Sequence, residues 1–248
     1  MTKPLRDWLS DDVAAVRGKP VQFLVERHFF RDPCRPIYSD PELFFSPADG
    51  VIVYVREVLP DEPLVHIKGM PYSLRTALRD HGYTRPSLVI GVFMTFFDVH
   101  VNRIPYAGQL SYRELDPIDS YNQPMLDVEK ELLEQLGPFN HDARYLFTNQ
   151  RVVNRIYSIE LGQPYYVLQI ADYDVDSITP FRIKQSQHFA QNQRFSQIRF
   201  GSQVDLIIPL SERYEFRPMV APGLHVEAGI DPLVRIIEKA GTRSTGVH

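Results

Sequence analysis

Residues 194–209 read RFSQIRFGSQVDLIIP and place a turn signal directly before a strand pattern. Apolar residues recur at every second position from Val204 to Ile208, which predicts a half-buried strand starting just after Ser202. Gly201 and Ser202 are both common turn residues, so the pair can be a simple turn between two apolar runs. A serine held between a flexible glycine and a rigid strand is also well placed to be a nucleophile. The local pattern leaves both interpretations open.

The composition is that of a folded globular protein. Of the 248 residues, 44% are apolar and 23% are charged, which is ordinary for such chains. This length fits one large domain or two small ones. The 20 prolines and 12% aromatic residues favour a strand-rich, loop-rich fold over a helical bundle. A formal charge of -4 gives no basis for expecting a nucleic-acid partner.

Cysteine usage and hydropathy exclude several classes of protein. The single cysteine, Cys34, rules out an internal disulfide and a cysteine-cluster metal site. We find no glycine-rich phosphate loop and no His-x-x-x-His pair, so we expect no metal. No apolar run approaches the roughly 18 residues that cross a bilayer, and residues 1–8 lack the apolar core of a signal peptide. We therefore expect a cytoplasmic protein, with attachment to a membrane surface left open.

Residues 1–40 are predicted to form an N-terminal helical arm ahead of a main domain at 41–240. Val21, Leu24 and Phe29 recur at helical spacing, and three arginines, Arg27, Arg31 and Arg35, lie nearby. Such a basic amphipathic helix can lie on an anionic membrane surface. It can equally pack its apolar stripe against the main domain.

The main domain is predicted to be one β-rich α+β domain. Its clearest helix spans residues 125–136, and we expect Glu129, Glu131 and Glu134 on the wet face of that helix, where they aid solubility rather than acid–base chemistry. Strand patterns occur at residues 51–55, 88–94, 151–161, 165–170, 178–183 and 204–208.

Two polar residues beside predicted strands are candidates for chemistry. His100 follows the most apolar run, residues 88–94. A histidine there is often a hydrogen-bonded structural residue, but its near-neutral pKa also suits proton transfer. Asp49 and Gly50 form a turn signal that opens the strand at 51–55. Neither residue identifies a reaction alone.

Several segments gain meaning from their order along the chain. They are residues 46–50 (SPADG), 67–74 (IKGMPYSL), 97–105 (FDVHVNRIP), 149–153 (NQRVV) and 194–202 (RFSQIRFGS). Together they resemble the motifs of the phosphatidylserine decarboxylase family, and the segment at 97–105 is similar to the form found in its shorter members. Each motif is weak alone, whereas the ordered set, over roughly residues 43–236, is quite specific.

The resemblance implies an enzyme that makes its own prosthetic group. Ser202 Oγ would attack the carbonyl of Gly201, and elimination would split the chain into residues 1–201 and 202–248. A covalent pyruvoyl group would remain at position 202 and serve as the electron sink that pyridoxal phosphate supplies elsewhere. The resemblance assigns His100 as the base and Asp49 as its orienting acid, in the general form of a serine triad.

The resemblance also suggests substrate contacts from Arg103, Asn102 and Tyr72. Arg103 stands where the longer enzymes have a second histidine that is usually assigned to processing. Either His100 therefore serves both processing and decarboxylation, or the triad differs in this chain. Glutamines also replace the acidic residues expected at two motif positions.

Three functions remain open from the sequence. The first is decarboxylation of phosphatidylserine, with the arm giving peripheral membrane contact. The second is decarboxylation of a soluble amino acid or derivative, which is suggested by the acidic segment 172–176 (DYDVD) unless that segment is simply a solvated loop. The third is a non-processing relative that acts as a binding scaffold. The family further implies a barrel-like sandwich resembling lipoyl domains, and a homodimer.

Overall fold

The computed structural model describes residues 2–37, 39–67, 70–117, 122–135, 143–172, 177–199 and 201–239. Some residues named above lie outside these ranges, namely Lys68, Gly69, Leu136, Phe200, residues 173–176 of the acidic segment and residues 240–248.

Strands make up most of the regular structure. They are β1 Lys3–Pro4, β2 Leu43–Phe45, β3 Gly50–Val58, β4 Val65–Ile67, β5 Met70–Tyr72, β6 Ser87–Met94, β7 Val101–Arg103, β8 Gly108–Leu115, β9 Arg151–Ser158, β10 Gln163–Ile170, β11 Ile178–Pro180, β12 Gln187–Phe189, β13 Arg194–Ile198, β14 Ser202–Pro209, β15 Tyr214–Pro218, β16 Leu224–Val226 and β17 Pro232–Glu238. The helices are α1 Leu5–Trp8, α2 Ala14–Arg17, α3 Val21–Phe23, α4 Leu74–Leu78, α5 Leu126–Gln135 and α6 Tyr145–Thr148, with π-helical turns at Leu9–Val13 and Leu24–His28.

Nine strands form one large antiparallel sheet in the order β1-β16-β3-β6-β14-β10-β9-β8-β12. The β-rich α+β class is therefore confirmed. The two edge strands, β1 and β12, do not pair with each other, so the sheet stays open and is not a closed barrel. Smaller sheets, β11-β13-β7 and β15-β17-β2, complete the core. Buried apolar clusters lie on both faces of the large sheet.

The strand that follows Ser202 is β14, in the middle of the large sheet. The predicted alternation is present, but both faces of the strand are buried, not one. On the second face the polar side chains of Gln203 and Asp205 bind each other and the hydroxyl of Tyr54, each contact at 2.7 Å. Tyr145 of α6 donates to Gln203 Oε1 at 2.6 Å and covers this face. Buried polar groups are tolerated there because they are hydrogen-bonded to one another.

Pairing within β11-β13-β7 brings two distant motif segments together. In this sheet Gln197 lies opposite Val101 and Ser196 lies opposite Asn102. Just beyond the paired region, the amide of Ile198 donates to the carbonyl of His100 at 3.1 Å. The segment that carries His100 is thereby fixed alongside the chain that leads into Ser202.

The N-terminal arm is helical, and it packs on the main domain. Leu5, Trp8 and Val13 are buried in one of the two apolar clusters, and Phe29 is also buried. Strand β1 adds an edge to the large sheet by pairing with β16. No helix in the described ranges is both long enough and apolar enough to cross a bilayer.

Candidate active site

Ser202 is the first residue of β14 and is completely buried. It pairs with Met94 at the end of β6, and its Oγ donates to Met94 Sδ at 3.2 Å. A thioether is a weak acceptor, so this contact holds the serine proton only loosely. The register between two central strands, rather than a flexible turn, sets the position of the hydroxyl.

Asn102 approaches the same sulfur from β7. Its Nδ2 lies 3.7 Å from Met94 Sδ. Its Oδ1 accepts a bond of 2.7 Å from Gln169 Nε2, and Asn154 in turn donates to Gln169 Oε1 at 2.9 Å. This connected chain of buried amides fixes the orientation of Asn102 beside Ser202.

Gly201 lies where a side chain would meet two carboxyl groups. A Cβ atom added at this position would lie 2.8 Å from Asp172 Oδ2 and 3.8 Å from Glu129 Oε2. Any larger residue would therefore collide with a carboxyl group.

Glu129 corrects the expectation that the α5 glutamates face water. Its side chain is buried, with 7% exposed, and its Oε1 accepts the amide of Phe96 at 2.8 Å. Burial, reinforced by the charges of Asp98 and Asp172, raises the pKa of Glu129 to about 7. The signal was available in the sequence, because Glu129 is four residues after Met125 and three before Leu132, on the apolar face of α5.

His100 is completely buried and lies against the ring of Phe29, with ring centroids 4.0 Å apart. Burial lowers its pKa to about 4, so the ring is neutral at pH 7. Its Nε2 lies 3.0 Å from the carbonyl oxygen of Thr95. A carbonyl only accepts, so Nε2 carries the proton and Nδ1 has a lone pair. Nδ1 has no hydrogen-bond partner among the described residues, which leaves it available as a base.

Asp49 is bound by the N-terminal arm and by the main chain. Its two carboxylate oxygens each accept a bond of 2.6 Å from the guanidinium of Arg35. Oδ1 also accepts the amide of Ala228 at 2.7 Å. The structure thus joins Asp49 to the N-terminal arm through a buried ion pair, and the role of Asp49 in orienting His100 stays a prediction.

A second buried histidine, His225, has the carboxylate partner that His100 lacks. Its Nε2 lies 2.6 Å from Asp98 Oδ1, and its ring stacks on Trp8 at 4.2 Å. Burial alone would lower the pKa of His225, but the charge and hydrogen bond of Asp98 raise it. Thr95 donates to Asp98 from both its amide and its hydroxyl, at 2.8 and 2.7 Å. Sequence reasoning missed this pair because His225 lies outside every motif.

The Asp98–His225 pair lines a cavity of about 320 Å³ between the arm and the main domain. Arg31 lies in its wall and donates to the carbonyls of Phe97 and Asp98. Other charged residues in the lining are Lys3, Asp12, Arg35, Asp49 and Glu227. The cavity is the size of a small-molecule site and has charges of both signs.

The three predicted substrate contacts have different surroundings. Arg103 donates to the carbonyl of Asn192 at 3.1 Å, and its second terminal nitrogen lies 3.5 Å from Asp32. Tyr72 is fully buried in the apolar cluster on the opposite face of the sheet from Ser202. Of the three, only Asn102 approaches the sulfur that Ser202 also contacts. No group of three or more His, Cys, Asp or Glu residues within the described ranges is arranged to hold a metal ion.

The model of the phosphatidylserine decarboxylase family matches residues 24–233, a span that includes all five motif segments. The chain belongs to the phosphatidylserine decarboxylase family. It is therefore a member of a family of carboxy-lyases, and the sequence prediction of the family is confirmed.

Similar proteins cover most of the chain. A phosphatidylserine decarboxylase proenzyme of Erythrobacter litoralis is 34% identical over 210 residues, which is 85% of this chain and 72% of the relative. The proenzyme of Novosphingobium aromaticivorans is 33% identical over 210 residues, covering 85% and 71%. That of Cupriavidus taiwanensis is 32% identical over 200 residues, covering 81% and 73%. These relatives are named as proenzymes, which agrees with a chain made as a precursor.

Proposed function

We propose that this phosphatidylserine decarboxylase family member cleaves itself between Gly201 and Ser202. It then converts phosphatidylserine to phosphatidylethanolamine and carbon dioxide with a pyruvoyl group formed from Ser202. The observation that carries the proposal is a buried Ser202 hydroxyl that donates to the weak acceptor Met94 Sδ, with the neutral His100 bound to the next residue, Thr95. His100 is linked to that serine through consecutive residues, since Thr95 binds His100 and Met94 binds Ser202.

Self-cleavage uses groups of this chain alone. His100 takes the proton of Ser202 Oγ, which bonds to the carbonyl carbon of Gly201, and the C–N bond breaks as the nitrogen gains a proton. The result is an ester and a free amine at residue 202. Removal of the α-proton of residue 202 then breaks the Cβ–Oγ bond and releases Gly201 as a carboxylate. Hydrolysis of the resulting enamine releases ammonia and leaves the ketone of the pyruvoyl group.

The surroundings of position 202 fit such a group. The position is buried, so bulk water is kept from a reactive ketone, and Met94 and Asn102 would hold it from one side. When bound to the substrate amine, the group accepts the electron pair left as carbon dioxide departs. Asn102 Nδ2 can donate to an oxygen placed there, because the Met94 sulfur is a weak acceptor that is easily exchanged.

Denaturing mass spectrometry tests the cleavage. We expect two fragments, residues 1–201 and residues 202–248, with the second carrying a ketone that borohydride reduces. Ser202→Ala should give only the intact chain and is the matched control. An intact chain in a preparation that releases carbon dioxide would exclude self-cleavage, and an intact, inactive chain would favour a binding scaffold.

Phosphatidylserine as substrate requires contact with a membrane surface, and the arm offers one. Phe23, Phe30 and Ile37 are exposed by 36%, 44% and 73%, and Arg27 is exposed in the same segment. Apolar side chains beside a cation are typical of surfaces that lie in anionic lipid interfaces. Sedimentation with phosphatidylserine vesicles should decrease for the Phe30→Ser, Ile37→Ser variant. Carbon dioxide release from free serine but not from the lipid would instead select a soluble substrate.

A further inference from the structure

A turn of residues 95–98 leads from the end of β6 towards His100. The amide of Asp98 donates to the carbonyl of Thr95 at 3.0 Å, and the amide of Phe97 donates to Thr95 Oγ1 at 3.2 Å. In return, the amide and the hydroxyl of Thr95 donate to Asp98 Oδ2 at 2.8 and 2.7 Å. Thr95 and Asp98 therefore hold each other in one arrangement through both backbone and side-chain atoms.

The carbonyl of Thr95 sets the proton position of His100. His100 is completely buried, and its Nε2 lies 3.0 Å from this oxygen. Because a carbonyl only accepts, the ring carries its proton on Nε2 and keeps a lone pair on Nδ1. If the Thr95 carbonyl turned away, the ring would lose the acceptor that holds its proton on Nε2. The preceding residue, Met94, contacts Ser202 Oγ, so the same segment bounds the serine as well.

Asp98 is itself held from outside the turn. Its Oδ1 lies 2.6 Å from His225 Nε2, and the ring of His225 stacks on Trp8 of the arm. Burial alone would raise the pKa of Asp98, but the charge and hydrogen bond of His225, together with the two bonds from Thr95, lower it. A charged carboxylate only accepts, which is what the two donors of Thr95 require. A continuous series of hydrogen bonds thus runs from His225 through Asp98 and Thr95 to His100.

We propose that Asp98 is a positioning residue for self-cleavage, which orients the Thr95 carbonyl towards His100 and so keeps the lone pair of Nδ1 available. His225 holds Asp98 in place. The inference rests on the proposed role of His100 as the base. In a serine triad the acid binds the base itself, whereas here a peptide carbonyl binds the base and the acid binds that peptide. Asp98 therefore acts through hydrogen-bond geometry and not on the reacting atoms.

Two variants of Asp98 separate geometry from charge. Asp98→Asn removes the charge but keeps an oxygen that can accept both donors of Thr95, whereas Asp98→Ala leaves these donors without that acceptor. Self-cleavage is followed by denaturing mass spectrometry after synthesis of the chain. We expect Asp98→Ala to be slower than wild type by about 10²-fold, the cost of misplacing a catalytic group by about 1 Å, and Asp98→Asn by less than about tenfold. Equal rates for Asp98→Ala and wild type, or for the two variants, would overturn the proposal.

The tautomer of His100 gives a readout that a merely structural role would not change. In uncut Ser202→Ala protein with ¹⁵N-labelled histidine, proton–nitrogen correlation spectra show which ring nitrogen carries the proton. We expect the Nε2–H form in the Ser202→Ala protein and in its Asp98→Asn derivative. The Asp98→Ala derivative should show a mixture with the Nδ1–H form. An unchanged tautomer in that derivative would overturn the proposal.

Leu110→Ala is the matched control for lost stability. Leu110 is completely buried in β8, three strands away from β14 in the large sheet. Its truncation lowers the free energy of unfolding by leaving a cavity, but it does not alter the turn at 95–98. At a temperature at which this variant is folded, the tautomer of His100 and the rate of self-cleavage should both match wild type.

A second pair of variants applies if Asp98→Ala does not fold. Thr95→Val removes the hydroxyl that Asp98 binds, and Thr95→Ser keeps it. We expect self-cleavage to be slower in Thr95→Val than in Thr95→Ser, because only the first loses part of the hold on the peptide. Equal rates in the two variants would overturn the proposal.

The outcomes separate the positioning role from the proposed function. Wild-type chain that is never cut before residue 202 would exclude the proposed function, and the positioning role with it. Wild-type chain that is cut, with His100→Gln slowed and Asp98→Ala as fast as wild type, would overturn the positioning role alone.

Discussion

His100 and His225 are both buried, and each stacks on an aromatic ring of the N-terminal arm, at 4.0 Å on Phe29 and 4.2 Å on Trp8. They differ in what faces their nitrogens. His100 meets a backbone carbonyl and is neutral, with its pKa lowered by burial to about 4. His225 meets the carboxylate of Asp98, which overcomes burial and raises its pKa.

The difference shows that burial and stacking do not decide the charge of a histidine. A single carboxylate at hydrogen-bond distance reverses the effect of desolvation. The two rings are therefore suited to different tasks. His100 can accept a proton at Nδ1, whereas His225, whose pKa Asp98 raises, retains its proton against that carboxylate and contacts the arm by stacking on Trp8.

The largest expected effect is on self-cleavage. His100→Gln should slow cleavage by about 10²–10⁴-fold, the contribution of a general base. His225→Gln should slow it by less than about tenfold, because its proton is already committed to Asp98. The rate is followed by denaturing mass spectrometry after synthesis of the chain, with exposed His81→Gln as control. A larger loss in His225→Gln would make the Asp98–His225 pair the base and reverse the comparison.

The next effect concerns the free energy of unfolding. Asp98→Asn leaves His225 buried without its carboxylate and should lower this free energy by about 3–5 kcal/mol. The measurement is urea unfolding in the Ser202→Ala background, which keeps the chain in one piece. Asp61→Asn, which breaks an exposed ion pair with Arg75, should cost less than about 1 kcal/mol. Similar costs in both variants would mean that the buried pair is not charged.

The pH dependence of unfolding gives a further contrast. His100 has a pKa near 6.5 when unfolded and about 4 when folded, so the unfolded chain binds more protons between these values. Its contribution to the free energy of unfolding therefore falls as pH decreases from about 6.5 to about 4, by roughly 3 kcal/mol. His225 has a raised pKa, so its contribution is complete below about pH 6.5 and is lost as pH rises through the folded value.

Other groups titrate in the same range, so the effect of His100 is isolated by subtraction. Glu129 acts in the opposite direction, because its folded pKa of about 7 means that the folded chain binds more protons. Unfolding of Ser202→Ala protein is compared with that of the same protein carrying His100→Gln, from pH 4.5 to pH 8. The difference in the free energy of unfolding between the two proteins should change with pH only below about pH 6.5. A flat difference would show that burial does not lower the pKa of His100.

The smallest effect is on the two stacked rings. Phe29→Leu keeps most of the apolar area and removes the aromatic contact, at an expected cost of about 1 kcal/mol. Trp8→Leu also loses buried volume, so its expected cost is larger, about 2–3 kcal/mol. Urea unfolding of both variants in the Ser202→Ala background measures this. The exposed Phe23→Leu is the control, with a change within about 0.5 kcal/mol. Costs near zero would mean that stacking on Phe29 and Trp8 of the arm does not stabilise the positions of His100 and His225.

Periodicity found the strands because a two-residue alternation is a local property. The patterns at 88–94 and 204–208 correspond to β6 and β14, and the helix at 125–136 corresponds to α5. Local pattern could not show that β14 is buried on both faces. That depends on α6 and Tyr145, which reach Gln203 from 58 residues away.

Motif order selected Ser202 and His100. The structure pairs Ser202 with Met94 at the end of β6, and His100 binds the carbonyl of the next residue, Thr95. It did not select partners that come from distant segments. Arg35 binds Asp49, and His225 binds Asp98 across 127 residues of sequence. Glu129 was predicted to face water because it is charged. Its spacing from Met125 and Leu132, which puts it on the apolar face of α5, was not taken into account.

The sequence by itself determined the family, the β-rich class and the serine at which chemistry is proposed. These depend on short-range patterns and on the order of motifs, which one chain carries in full. Only the tertiary structure decided which carboxylate meets which histidine, and which carboxyl groups surround Gly201. Charge states and proton positions follow from burial and from partners a few ångströms away, and folding alone brings those partners together.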